Sequence, residues 1–114
     1  MVAKKNPLKL NSLQLRTLTL CQVLAREESL TTTDINDNSI TINQMPHVHG
    51  NHVHIGKFVV SARDASGFSN PAVWVALKRK NLIKEIPSMS LTLTAEGVSY
   101  ETGLSDQFVE ESDH

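Results

Sequence analysis

The clearest periodicity lies near the start of the chain. Leu13, Thr17, Leu20 and Leu24 recur at helical spacing, and Leu18, Cys21 and Val23 widen the stripe. Asn11 is positioned as N-cap, Gln14 three residues on can close a capping box, and Leu10 and Leu15 can form a hydrophobic staple. These signals predict a helix from Asn11 to Ala25 or Arg26. The texture then changes. Thr31-Thr32-Thr33 is β-prone, Asn36-Asp37-Asn38 is a turn cluster, and Ser39 to Asn43 alternates polar and apolar as a half-buried strand does. Pro46 ends that strand.

Phe58 to Ser66 reads as a short helix, although Val59 and Val60 favour strand, in which case the helix begins only at Ser61. Gly67-Phe68-Ser69 is a tight turn. A second clear helix runs from Pro71 to Lys80, with Asn70 as N-cap and Pro71 at the first helical position, where its missing N–H costs nothing. Val73, Trp74 and Leu77 form its inward stripe, Ala72, Val75 and Ala76 its outward one, and Asn81 can close it in the left-handed conformation. Leu82 to Ile86 and Leu91 to Thr94 read as two short strands, and Thr94 caps a last short helix ending near Gly103.

The pattern predicts one domain of α+β class over residues 10–104. It is flanked by a basic flexible arm at 1–9 and an acidic disordered tail at 105–114. With 39% hydrophobic residues there is enough apolar matter for one core and too much for a disordered chain. Net charge is -1, but the tail from Ser105 holds Asp106, Glu110, Glu111 and Asp113 and no Lys or Arg. The remaining residues therefore carry an excess of cations, which is compatible with nucleic acid without demanding it. A single cysteine, Cys21, rules out an internal disulfide, and no signal peptide or membrane span is visible. Both points lead us to expect a cytoplasmic protein with no membrane partner.

The segment Leu77-Lys78-Arg79-Lys80-Asn81-Leu82-Ile83 resembles the end of the recognition helix of winged-helix (winged helix-turn-helix) bacterial transcription regulators, where a Leu and several charges lead into the first wing strand. Leu91-Thr92-Leu93-Thr94-Ala95-Glu96-Gly97 resembles the returning wing strand and the helix after it, and Ala65-Ser66-Gly67-Phe68-Ser69 the helix-turn-helix elbow. The resemblance covers Phe58 to Leu104 and Leu10 to Ala25. It does not cover Thr31 to Gly56, so the expected fold is a winged helix with an extended β-hairpin inserted between its first and second helices. It implies a DNA-binding regulator with double-stranded DNA as partner, as a homodimer in many such proteins. The helix Pro71–Lys80 would enter the major groove. Lys78, Arg79, Lys80 and Lys84 would touch phosphates, and Ser69 and Asn70 would be the polar groups nearest base edges. The chain departs from the pattern in two ways. Ala72, Val75 and Ala76 cannot make the bidentate hydrogen bonds that read bases, and the wing is short with no Arg at its tip. A basic helix end is also favoured simply by the helix dipole, and an apolar outward face suits a protein partner instead.

One further constellation stands apart. His47, His49, His52 and His54 straddle Gly50-Asn51, a pair suited to a two-residue hairpin turn. In that register His49 opposes His52, Val48 opposes Val53 and His47 opposes His54, so all four imidazoles share one face. Opposed Cβ atoms lie ~5 Å apart, close enough for three imidazoles to converge on one Zn²⁺. The plainer alternative is that Val48 and Val53 define a core face and leave the histidines solvated. Catalysis is not expected. Ser61, Ser66 and Asp64 lie near the cluster in sequence, but no spacing assembles a nucleophile, a base and an orienting group. Three readings thus stand open: a DNA-binding regulator, a protein-interaction module, and a metal-binding protein acting through the hairpin.

Overall fold

A computed structural model of the chain describes residues 6–46, 48–55 and 58–104; for 48 and 49 it describes the backbone only. The element order is α1 (Ser12–Ala25), β1 (Thr31–Asp34), β2 (Ser39–Ile42), β3 (Val48–His49), β4 (His52–Ile55), β5 (Phe58–Ser61), α2 (Pro71–Arg79), β6 (Leu91–Leu93) and α3 (Ala95–Ser99). Single 3₁₀ turns at Glu28–Leu30 and Ser66–Ser69 precede β1 and α2. The class is α+β, with helices around two three-stranded antiparallel sheets, ordered β1-β2-β6 and β3-β4-β5.

The first helix forms where its local signals place it. The Asn11 side chain accepts from the Gln14 amide at 2.8 Å, and the Gln14 side chain accepts from the Asn11 amide at 2.9 Å, which completes the capping box. The helix is buried more fully than a single stripe requires. Every residue from Thr17 to Leu24 is buried, because α1 packs against α2, α3, β2 and β4. Its polar members are therefore all provided for. Thr17 and Thr19 hydroxyls donate to the carbonyls of Leu13 and Leu15. Gln22 Nε2 donates to the carbonyls of Gly97 and Tyr100, which ties α1 to the last helix. Residues 6–9, assigned from the sequence to the arm, are held to the body. The Tyr100 hydroxyl donates to Asn6 Oδ1 at 2.6 Å and accepts from the Leu8 amide at 3.1 Å.

Three secondary-structure expectations need correction. The last helix, expected to end near Gly103, ends at Ser99, where Tyr100 turns to extended backbone. The predicted helix at Phe58–Ser66 is instead strand β5 followed by turns. Val59 and Val60 pair with His54 and Val53 on β4, so β-branched residues find a ladder partner there that local propensity cannot anticipate. The strand predicted at Leu82–Ile86 is reduced to one bridge between Ile83 and Leu93. Pro87 follows closely, and Lys84 continues the contact only through its amide to the Thr92 carbonyl.

Candidate functional site

The second helix is set by its ends. Asn70 Oδ1 accepts from the Ala72 amide at 3.0 Å, and Pro71 occupies the first turn. At the other end Asn81 takes φ 65°, the Leu82 amide reaches back to the Leu77 carbonyl, and the Asn81 amide to that of Lys78. This paired closure, with Leu77 and Leu82 both fully buried, fixes where the chain leaves the helix. Val73, Trp74 and Leu77 face the core, and Trp74 Nε1 donates to the Phe68 carbonyl at 3.0 Å, so the indole is buried with its polar atom paired. Ala76, assigned from the sequence to the outward face, is buried. It lies one turn beyond Val73 and beside Leu77, on the inner side of the helix. The outward stripe is therefore Ala72, Val75, Lys78 and Arg79, all exposed.

The groups that the winged-helix resemblance assigns to DNA do not all stand equally free. Lys78 and Arg79 are exposed in the last turn of α2. Lys80 Nζ donates to the Leu8 carbonyl at 2.7 Å and so fastens the N-terminal segment. Lys84 pairs with Asp37 in the β1–β2 turn, beside Thr32, Thr41 and Thr92 on the outer face of the first sheet. The pairing shows in both groups. Lys84 and the Ser39 hydroxyl and amide hold the Asp37 carboxyl well below the usual range, and Asp37 raises the Lys84 ammonium. Ser69 is exposed, with its hydroxyl donating to the Ser66 carbonyl, and Asn70 is committed to its cap. The structural hydrogen bonds of Lys80 and Lys84 follow from contacts distant in sequence, so nothing in the run Lys78 to Lys84 distinguishes them.

The histidine hairpin takes the register expected of it. Val48 pairs with Val53 and His49 with His52 across the Gly50-Asn51 turn. Gly50 has φ 65° while Asn51 does not join it on the positive side, the pattern of a turn with glycine at its first central position. Val53 and Ile55 are 2% and 0% exposed, which turns His52 and His54 outward. Their ring centroids lie 5.1 Å apart with planes at 81°. His47 lies outside the described residues, as does the side chain of His49. Among the described residues no group of three or more His, Cys, Asp or Glu gathers as a metal site. Cys21 is buried inside α1, and burial pushes its thiol up, so it is a core residue without reactivity.

Comparison with protein-family models, curated proteins and solved structures finds no match. Among the described residues no helix is long and apolar enough to cross a membrane.

Proposed function

We propose that this chain is a winged-helix-like domain that binds duplex DNA through its phosphates, with little reading of sequence. The observation that carries the proposal is the exposed last turn of α2. Lys78 and Arg79 project there on a helix with no acidic residue, between the Asn70 cap and the short hairpin closed by Ile83 and Leu93. The strand order supports the same reading. β2, from the connection between the first two helical segments, pairs with β6, which returns after α2 as a wing strand would. The 3₁₀ turn Ser66–Ser69 would then stand in for the middle helix, and sheet β3-β4-β5 for the insertion.

The stripe of α2 argues for non-specific contact. Ala72 and Val75 offer no donor or acceptor to a base edge, whereas Lys78 and Arg79 suit phosphate oxygens. Fluorescence anisotropy with a labelled random duplex at low salt tests this. Binding should weaken steadily as salt rises, and Lys78→Ala with Arg79→Ala should lower affinity on every sequence alike. No binding at low salt rejects the proposal. A second reading rests on Val75, 44% exposed beside Ala72, as the centre of a small protein-binding face. It predicts that Val75→Asp abolishes a protein interaction that Arg79→Ala leaves intact.

A further inference from the structure

Sheet β1-β2-β6 ends on one side in a strand whose outer edge is unpaired. At the far side β6 is closed by the Ile83 bridge and by the Lys84 amide, which donates to the Thr92 carbonyl. At the near side β1 pairs with β2, and among the described residues no strand pairs with its other edge. The phase of the ladder decides which groups are left over. The Asn43 amide donates to the Leu30 carbonyl and the Asn38 amide to the Asp34 carbonyl. Antiparallel ladders alternate, so Thr32 and Asp34 bond to β2, and the backbone groups of Thr31 and Thr33 point away from it. The Thr31 amide turns back to the Glu28 carbonyl. The Thr33 N–H and C=O and the Thr31 C=O therefore face outward with no protein partner among the described residues. From Thr32 to Asp34 the strand is exposed, and it carries neither proline nor lysine, the residues that often blunt such an edge.

We propose that this edge takes up an extended segment of a partner protein, added antiparallel to β1 and carrying basic side chains. The main chain supplies the docking geometry, since Thr33 would exchange both its hydrogen bonds with one partner residue. Charge supplies the chemistry. From Arg26 to Asp37 the chain holds Glu27, Glu28, Asp34 and Asp37 against Arg26 alone, so carboxylates stand at both ends of the strand. The outer face beside β1 opens into a cleft of about 510 Å³ lined by Thr32, Asp34, Ser39, Thr41, Thr92 and Lys84. Lys84 is already held by Asp37. Asp34 is exposed, and its Oδ1 accepts from the Asn36 amide, which leaves the second carboxylate oxygen to a ligand. Alternate side chains of an added strand fall on this face, so an arginine or lysine there meets Asp34 and the threonine hydroxyls. Leu30 and Ile35, 40% and 86% exposed, bracket the strand and offer apolar contact to the rest of the segment. A second copy of this chain suits the edge poorly, because self-pairing brings two sets of the same carboxylates together. The edge is distant in sequence from Lys78 and Arg79, and the proposal does not depend on DNA binding.

The test is a titration of the ¹⁵N-labelled full chain with a short synthetic peptide alternating arginine and valine, so that its cations share one face. The expected result is saturable one-to-one binding, with the Thr33 amide shifting most and gaining protection from hydrogen exchange. The same peptide N-methylated at its valines keeps the charge but loses the main-chain bonds to Thr33, and should not bind. Neither should a version with glutamate in place of arginine. Thr33→Pro should weaken binding about tenfold or more, since it removes an outward N–H and leaves the ladder to β2 intact. Asp34→Asn keeps the Asn36 contact and should weaken binding about two- to fivefold, the range of exposed charge pairs. If Thr33→Pro fails to fold, the N-methylated peptide puts the same question to the unaltered chain. Equal binding of the N-methylated or glutamate peptide, an unmoved Thr33 amide, or wild-type affinity in folded Thr33→Pro would overturn the proposal. So would a chain that self-associates in sedimentation and is made monomeric by Thr33→Pro, because the edge would then belong to a second copy.

Discussion

Gly97→Ala sets two effects of opposite sign against each other, and the structure decides between them. In an ordinary exposed helix the exchange is favourable by up to about 1 kcal/mol, because alanine has the higher helix propensity. Gly97 sits in the first turn of α3, with its amide donating to Thr94 Oγ1 and its carbonyl accepting from Gln22 Nε2. A methyl group there would meet the Leu82 carbonyl oxygen well inside 3.0 Å, closer than real Cβ atoms come, with Leu93 Cδ2 at 3.3 Å. The obstacle is backbone, and that backbone is fixed. The Leu82 carbonyl accepts from the Thr94 amide at 3.1 Å, and Leu82 and Ile83 are buried. Neither side can retreat without breaking that bond or unseating the core. Overpacking of this kind costs about 1–3 kcal/mol and lies at the upper end when backbone must move. With the propensity gain subtracted, a loss of about 2 kcal/mol is expected. At roughly 4 °C per kcal/mol for a chain of this size, the thermal midpoint should fall by about 8 °C. Urea and thermal denaturation of Gly97→Ala, with Glu96→Ala on the exposed side of the same turn as control, measure it. A Gly97→Ala protein as stable as wild type would show that α3 does not lie against Leu82 as described.

Leu77→Ala should cost about 2–5 kcal/mol in urea unfolding, since Leu77 is fully buried and closes the C-terminal motif of α2; a cost under about 1 kcal/mol would contradict that packing. Tyr100→Phe should lose about 1 kcal/mol and speed amide exchange at Leu8 and Leu10, because one hydroxyl serves both Asn6 and the Leu8 amide. The Asp37–Lys84 pair gives a signed pH dependence. The Asp37 carboxyl is lowered on folding, so its contribution is present above the ordinary aspartate range near pH 4 and is lost as pH falls toward its folded value. Asp37→Asn should flatten the acid limb of the urea midpoint against pH, slightly, because the pair is exposed, and added salt should shrink the difference. On DNA, Lys84→Ala should reduce affinity less than Arg79→Ala, since Lys84 already faces a carboxylate; the reverse order in anisotropy would place the contact on the first sheet instead.

Helices α1 and α2 were legible from the sequence because their ends are written locally. Asn11 with Gln14, Asn70 with Pro71, and Asn81 each act within a few residues, and each is found in its expected role. The hairpin register was legible for the same reason, since a two-residue turn leaves one pairing. The failures all involve partners distant in the chain. Strand β5 exists because β4 offers it a ladder, and the burial of Ala76 depends on what lies beside α2 rather than on its own helix. The candidate DNA surface was harder still. A run of basic residues reads as one patch, but the structure gives Lys80 to Leu8 and Lys84 to Asp37, which leaves Lys78 and Arg79 exposed on the helix.

The continuous burial of α1 from Thr17 to Leu24 has a bearing on how the molecule comes apart. Both sheets pack against this one helix, and neither shares a strand with the other. The strands of β3-β4-β5 follow one another closely in sequence and can separate from the helix together, whereas β2 and β6 pair across a long intervening stretch of chain. Native-state hydrogen exchange should therefore resolve two levels. The amides of β4 and β5 would open as one sub-global unit below the global unfolding free energy, and those of α1 and β6 would exchange only when everything unfolds.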